Sequence, residues 1–277
     1  MSRNQANHSD RSARLNRSNN ATIEPLEGRQ LMAGDTTSVS SLPFQLEFDS
    51  SRGGMTDKNG LGTGFTYIQS NKLANEYQPN NIELNLAQGV LYLTTTGTSA
   101  AGGPWENDNT LTNSLQTQFN GSSGAFTIRS RLVGPLGYMD QPSEQGGIIF
   151  GPDQDNYIKL VAVSQPGGTF LQFIDERKSG TSFTHSLNGS AALVNIGSFA
   201  NINTLDLELV CDAGTGKIQA FYRINSGSLV KLSQEITLSG STKTNFFSTK
   251  ARAGIMAMHK NDLGAITVGF DRFEILS

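Results

Sequence analysis

The longest regular signal in the chain is alternation. From Leu42 onward, short runs of apolar and polar residues alternate between glycine-rich turns, beginning with Phe44, Leu46 and Phe48 on one face and Gln45, Glu47 and Asp49 on the other. The same period of two recurs at 82–86, 90–95, 114–119, 126–133, 147–150, 157–163, 170–175, 205–210, 217–224, 230–232, 253–259 and 266–275. So many short strands predict a large two-sheet sandwich in one domain. Turn-forming clusters at 153–156, 165–168, 212–216 and 225–227 predict hairpins, so neighbouring strands run antiparallel. The run 241–249 reads either as one short helix or as a segment in which Phe246 and Phe247 simply plug an end of the sandwich. Along 266–275 the apolar face runs Ile266, Val268, Phe270 and then Phe273, Ile275, and this slip predicts a bulge at Asp271–Arg272.

Residues 1–40 break the pattern. They are rich in Asn, Ser and Arg and predict a disordered leader before a β-domain at 41–277. Glu24-Pro25-Leu26-Glu27-x-Arg29-x-Leu31 resembles the Leu-Glu-Pro-Arg-type N-terminal motif of exported bacterial proteins, which implies a secreted or cell-surface location.

Composition fits this class: 30 glycines and 16% charged residues suit tight turns better than helices. A net charge of -3 with interspersed signs gives no reason to expect nucleic acid, and no window is apolar enough for a membrane span. Cys211, the single cysteine, excludes an intrachain disulfide and reads as a buried small residue.

The segment Glu144-Gln-Gly-Gly-Ile-Ile-Phe-Gly-Pro-Asp153-Gln-Asp-Asn156-Tyr-Ile-Lys159-Leu160 resembles a hairpin of concanavalin A-like domains, such as the C-terminal domain of some β-xylosidases. Residues 115–131 and 252–275 agree in order and spacing with other strands of that family. The resemblance implies an all-β, two-sheet antiparallel jelly-roll sandwich whose concave face accepts carbohydrate, usually as a non-catalytic appendage. It also implies a structural Ca²⁺ where first and last strands meet, for which Asp271 with Glu47, Asp49 or Asp57 is the candidate set. A salt bridge from Asp271 to an arginine is the rival reading.

For a sugar ligand the chemistry needs an aromatic platform and planar polar groups. Trp105, the single tryptophan, lies in a polar loop with Asn107 and Asp108, and His259 and Asn261 form a second polar cluster at a hairpin tip; these five are the candidate ligand contacts. Catalysis is less favoured. Asp175 and Glu176 are adjacent on a strand and face opposite sides, so Asp175 would need a distant partner such as Glu144. His185 reads as a loop residue, and no Ser-His-Asp arrangement or histidine metal site is legible. Asp153, Asp155 and Asn156 read as turn formers rather than cation ligands. The sequence therefore favours a carbohydrate-binding module, with a glycoside hydrolase-like enzyme using Asp or Glu, or a structural or adhesive surface protein, as alternatives.

Overall fold

A computed structural model describes residues 39–96, 104, 106, 108–185, 193–260 and 264–277. The leader expected at 1–40 lies outside them except for its last two residues, and so does the export-type motif. Among the described residues the strands, in chain order, are β1 (Phe44–Leu46), β2 (Tyr67–Ile68), β3 (Ile82–Asn85), β4 (Val90–Thr94), β5 (Leu115–Phe119), β6 (Ala125–Val133), β7 (Gln145–Asp153) and β8 (Asn156–Gln165). They continue with β9 (Gly168–Ser179), β10 (Ser182–His185), β11 (Leu193–Asn195), β12 (Thr204–Asp212), β13 (Lys217–Ile224), β14 (Val230–Thr237), β15 (Ala251–Met258) and β16 (Thr267–Leu276).

The strands form two antiparallel sheets. The first runs β14-β13-β12-β6-β16-β4-β3, with β1 also paired to β16; the second runs β10-β9-β8-β7-β15-β5-β2, with β11 also paired to β9. Alternation in sequence becomes alternation in burial. Ile158, Leu160 and Ala162 of β8 enter the core between the sheets with Leu205, Leu207 and Leu209 of β12 and Phe270 and Phe273 of β16. All four predicted turn clusters close hairpins, and Asp153 Oδ1 accepts the backbone N–H of Asp155 at 2.9 Å, as turn chemistry requires. The predicted slip is present: pairing of β16 with β6 shifts register between Phe270 and Arg272, which leaves Asp271 as the extra residue.

The predicted helix is α1 (Gly240–Phe246). Phe246 and Phe247 pack edge-on against Phe150 at 5.5 and 5.9 Å, and Phe126 joins them, so this end of the sandwich is closed by rings. Cys211 is fully buried in the core. Strands β2, β10 and β11, each four residues or fewer, are the ones the alternation does not predict, and His185 sits on β10 rather than in a loop. No helix among the described residues is long and apolar enough to cross a membrane.

Candidate functional site

The outer face of the second sheet is where the structure departs from an ordinary sandwich. Side chains there should meet water, but Ile149, Tyr157, Val161, Val163, Met256 and Met258 form a second buried apolar cluster, separate from the inter-sheet core. Leu111 completes it. The segment around Leu111 thus roofs the face and is tied down by side chains. Gln154 at the β7–β8 turn accepts from Leu111 N at 3.0 Å and donates to Leu111 O at 3.3 Å, and Asn109 donates to Asp155 at 2.7 Å. Three non-glycine residues of this stretch, Glu106, Asn109 and Asn113, hold φ between 40° and 50°. Such left-handed geometry costs energy and gathers at ligand-handling sites.

Polar groups are buried with that apolar cluster. Cross-strand register sets Gln116 of β5 beside Gly254 of β15, Ile149 of β7, Lys159 of β8 and Ile174 of β9 in one row. Gly254 is required by its close packing, because a Cβ there would lie 1.8 Å from Leu115 O. A second row holds Tyr157, Glu176 and His185. Ser114 Oγ, both side-chain atoms of Gln116, the Tyr157 hydroxyl and Glu176 Oε1 are buried and make no hydrogen bond with the described residues. Unmet buried polar atoms cost about 1–3 kcal/mol each, so their concentration on one face marks a place where polar partners are wanted.

Three titratable groups of the face, Glu176, Lys159 and Tyr157, are shifted by burial. Burial pushes the Glu176 carboxyl up to about 7, with Asp155 and Glu106 adding to the effect, while the Glu106 backbone N–H, donating at 2.7 Å, and Lys159 oppose it. His185 stands between two acids, Nδ1 at 3.5 Å from Glu176 Oε2 and Nε2 at 3.3 Å from Glu106 Oε1. Burial also lowers the Lys159 ammonium to about 8, with Glu176 acting the other way; Lys159 Nζ donates to Gln145 Oε1 at 2.7 Å. Asp175 faces the opposite side from Glu176 and pairs with Arg177. Glu144 accepts from the Gln141 backbone N–H in the preceding turn at 2.9 Å, so Asp175 and Glu144 form no catalytic pair.

Of the five contacts expected from sequence, Trp105, Asn107 and Asn261 lie outside the described residues. Asp108 is partly exposed beside the roof, 3.6 Å from Lys72. His259 directly follows β15. It is buried, its Nδ1 lies 2.6 Å from Thr95 Oγ1, and burial lowers its basicity; the residue is one step out of phase with the outward-facing Met256 and Met258. Alternation foretold that inward direction, but the polar residues after it masked the signal.

The carboxylates expected to hold calcium are engaged separately. Asp57 is buried and accepts the backbone N–H groups of Asn59, Leu61 and Leu84 at 2.8–2.9 Å. Asp271 lies 3.6 Å from Arg131, Asp49 lies 3.8 Å from Arg52, and Glu47 is exposed. Among the described residues no three His, Cys, Asp or Glu side chains form a group that could hold a metal ion. Sequence reasoning passed over Lys159, Ser114 and Gln116. A lysine among the apolar, same-facing Tyr157, Val161 and Val163 was the available signal for the first; the other two read as ordinary solvent-facing residues.

No protein-family model and no curated protein matches this chain. Solved structures do resemble it. The GH43 protein BlXynB from Bacillus licheniformis is similar with a TM-score of 0.57 at 14% identity over 84% of this chain and 39% of that one. A GH43 glycoside hydrolase engineered to display both endo-xylanase and exo-arabinofuranosidase activity gives 0.57 at 14% identity over 87% and 42%. Xyloglucan PUL GH43B of Bacteroides ovatus gives 0.51 at 14% over 85% and 39%. The chain therefore spans about two-fifths of the length of these proteins, and what the likeness establishes is the fold, a concanavalin A-like sandwich.

Proposed function

We propose that this protein is a carbohydrate-binding module working outside the cell, with the roofed outer face of the second sheet as its binding surface. One observation carries the reading: Ser114, Gln116, Tyr157 and Glu176 present buried, unpartnered polar atoms beside the apolar Ile149, Val161 and Met256. A sugar ring offers hydroxyls to the former and C–H faces to the latter. The likeness to part of several GH43 proteins supports the same ligand class. Trp105 is proposed as a stacking platform and Asp108 as a polar contact at the roof. The test is a glycan and polysaccharide array with the full chain, with and without Ca²⁺. Gln116→Ala and Trp105→Ala are each expected to weaken binding about tenfold or more. Absence of binding in both conditions sinks the reading, and a strict need for Ca²⁺ would support the expected metal.

A second reading, glycoside hydrolysis, is favoured by one feature. Glu106 and Glu176 flank a single imidazole, and Glu176 at about 7 lies in the range of a general acid. Release of reducing ends from a bound polysaccharide, abolished by Glu176→Gln, would favour it over binding alone.

A further inference from the structure

Lys159 is at odds with its surroundings. Its side chain is almost fully buried, between Ile149 and Ile174 in its row, and its cross-strand partner is four residues from Gln145, so the side chain extends along the sheet to reach Gln145 Oε1. An ammonium carries three N–H donors. Gln145 takes one, and among the described residues no carboxylate forms a salt bridge with it. A buried cation is expensive unless paired, and lysines at such depth normally have an anionic partner. Glu176, the acid within electrostatic range, is itself pushed up to about 7 and is only partly ionised at neutral pH, so it compensates Lys159 incompletely.

Arg252 repeats the theme on the same face. It lies 3.9 Å over the Tyr67 ring and donates to the Tyr67 hydroxyl and to Pro152 O, both at 2.7 Å; these partners are uncharged, and its Nε is buried without an acceptor. Two cations with neutral partners therefore flank the unpartnered Ser114 and Gln116. The chain's net charge of -3 argues against general attraction to polyanions, so a preference for anionic ligands would have to arise at this face.

We propose that the site selects acidic glycans, with an anionic substituent of the sugar, carboxylate or sulfate ester, taking the two free donors of the Lys159 ammonium. This rests on the carbohydrate-binding reading above. The anion would supply the charge partner that the sheet withholds, and the neighbouring hydroxyls would meet Ser114 and Gln116.

The test compares binding of the full chain to polygalacturonate and alginate, to dextran sulfate, and to neutral xylan and dextran. Acidic polymers are expected to bind about tenfold or more tightly than neutral ones, the value of one charge-assisted hydrogen bond. The carboxylate and sulfate arms separate the two anion sources. Lys159→Met, which keeps the stem and removes the charge, should erase the preference, so that the variant binds acidic and neutral polymers with equal affinity. A second measurement needs no variant: with the unmodified protein the preference should fade between pH 7 and 9. Over that range Lys159 loses its proton and Glu176 is fully ionised; Tyr157, the remaining titratable group on its own strand, has its hydroxyl pushed up by burial and stays neutral. Equal binding of neutral and acidic polymers, or a preference that survives both Lys159→Met and pH 9, overturns the proposal and leaves carbohydrate binding standing. Retention of none of the polymers overturns both.

Discussion

Asp206, in the middle of β12, is approached by three guanidinium groups: Arg131, Arg223 and Arg272 each donate to it at 2.7 Å. Burial alone would raise its carboxyl, but the three arginines outweigh that and hold it at about 2. A carboxyl depressed below its unfolded value of about 3.9 adds stability that is fully present above pH 4 and is lost as pH falls through 2. With the arginines partly solvated, the contribution is about 2 kcal/mol. Asp206→Asn should therefore lower unfolding free energy by about 2–3 kcal/mol at pH 7, since it also leaves three cations facing one another. Urea titrations at pH 7 and pH 2.5 check this: the gap between wild type and variant should shrink at the acid pH, and an equal gap at both would place the effect in packing.

At the scale of elements, α1 and the residue that caps it hold two of the four rings, Phe126, Phe150, Phe246 and Phe247, that close one end of the sandwich. Phe246 is buried, 5.5 Å from Phe150, so Phe246→Ala should cost about 3–4 kcal/mol by lost transfer energy and the cavity left behind. Thermal melting followed by near-ultraviolet circular dichroism reads the loss; a shift of only a degree or two would mean that the ring end is pliable. Elements such as this were legible in the sequence because they obey local rules. Alternation located every strand of five residues or more, and β13 to the residue; the broken alternation around Asp271 located the bulge. Strands β2, β10 and β11 were too short to carry a period. The candidate site was legible only in fragments. Glu176 and Lys159 stand out on their strands, but Ser114 and Gln116 look in the sequence like any outward-facing polar residues, although both are buried on the face where Leu111, held by Gln154, joins the apolar cluster. Burial imposed by a distant segment leaves no local trace.

For the molecule as a whole, the outer-face charges should shape the dependence of stability on pH. Glu176 is raised to about 7 from an unfolded value near 4.5, so the unfolded chain ionises first and stability falls between about pH 4.5 and 7. Lys159 is lowered to about 8 from 10.5, so the folded chain loses its proton first and stability climbs again from about pH 8 to 10.5. Between pH 7 and 8 both groups carry buried charge. The melting temperature is thus expected to be highest near pH 4–5, to pass through a minimum at pH 7–8, and to lose that minimum in the double variant Glu176→Gln, Lys159→Met. A flat profile in the unmodified protein would contradict the burial of these two groups.

The pairing of the first strand with the last has a mechanical consequence. Phe44, at the start of β1, sits opposite Ile275, near the end of β16, and only three residue pairs join the two strands. Tension applied through residues 40 and 277 would therefore open these rungs one after another, as a zipper opens, instead of loading them together in shear. The domain is expected to release β1 at low force while the rest of the sandwich stays intact. Optical-trap experiments with handles at those positions should record this small first extension, and moving one handle to Ser50, beyond the far end of β1, should raise the force at which it occurs.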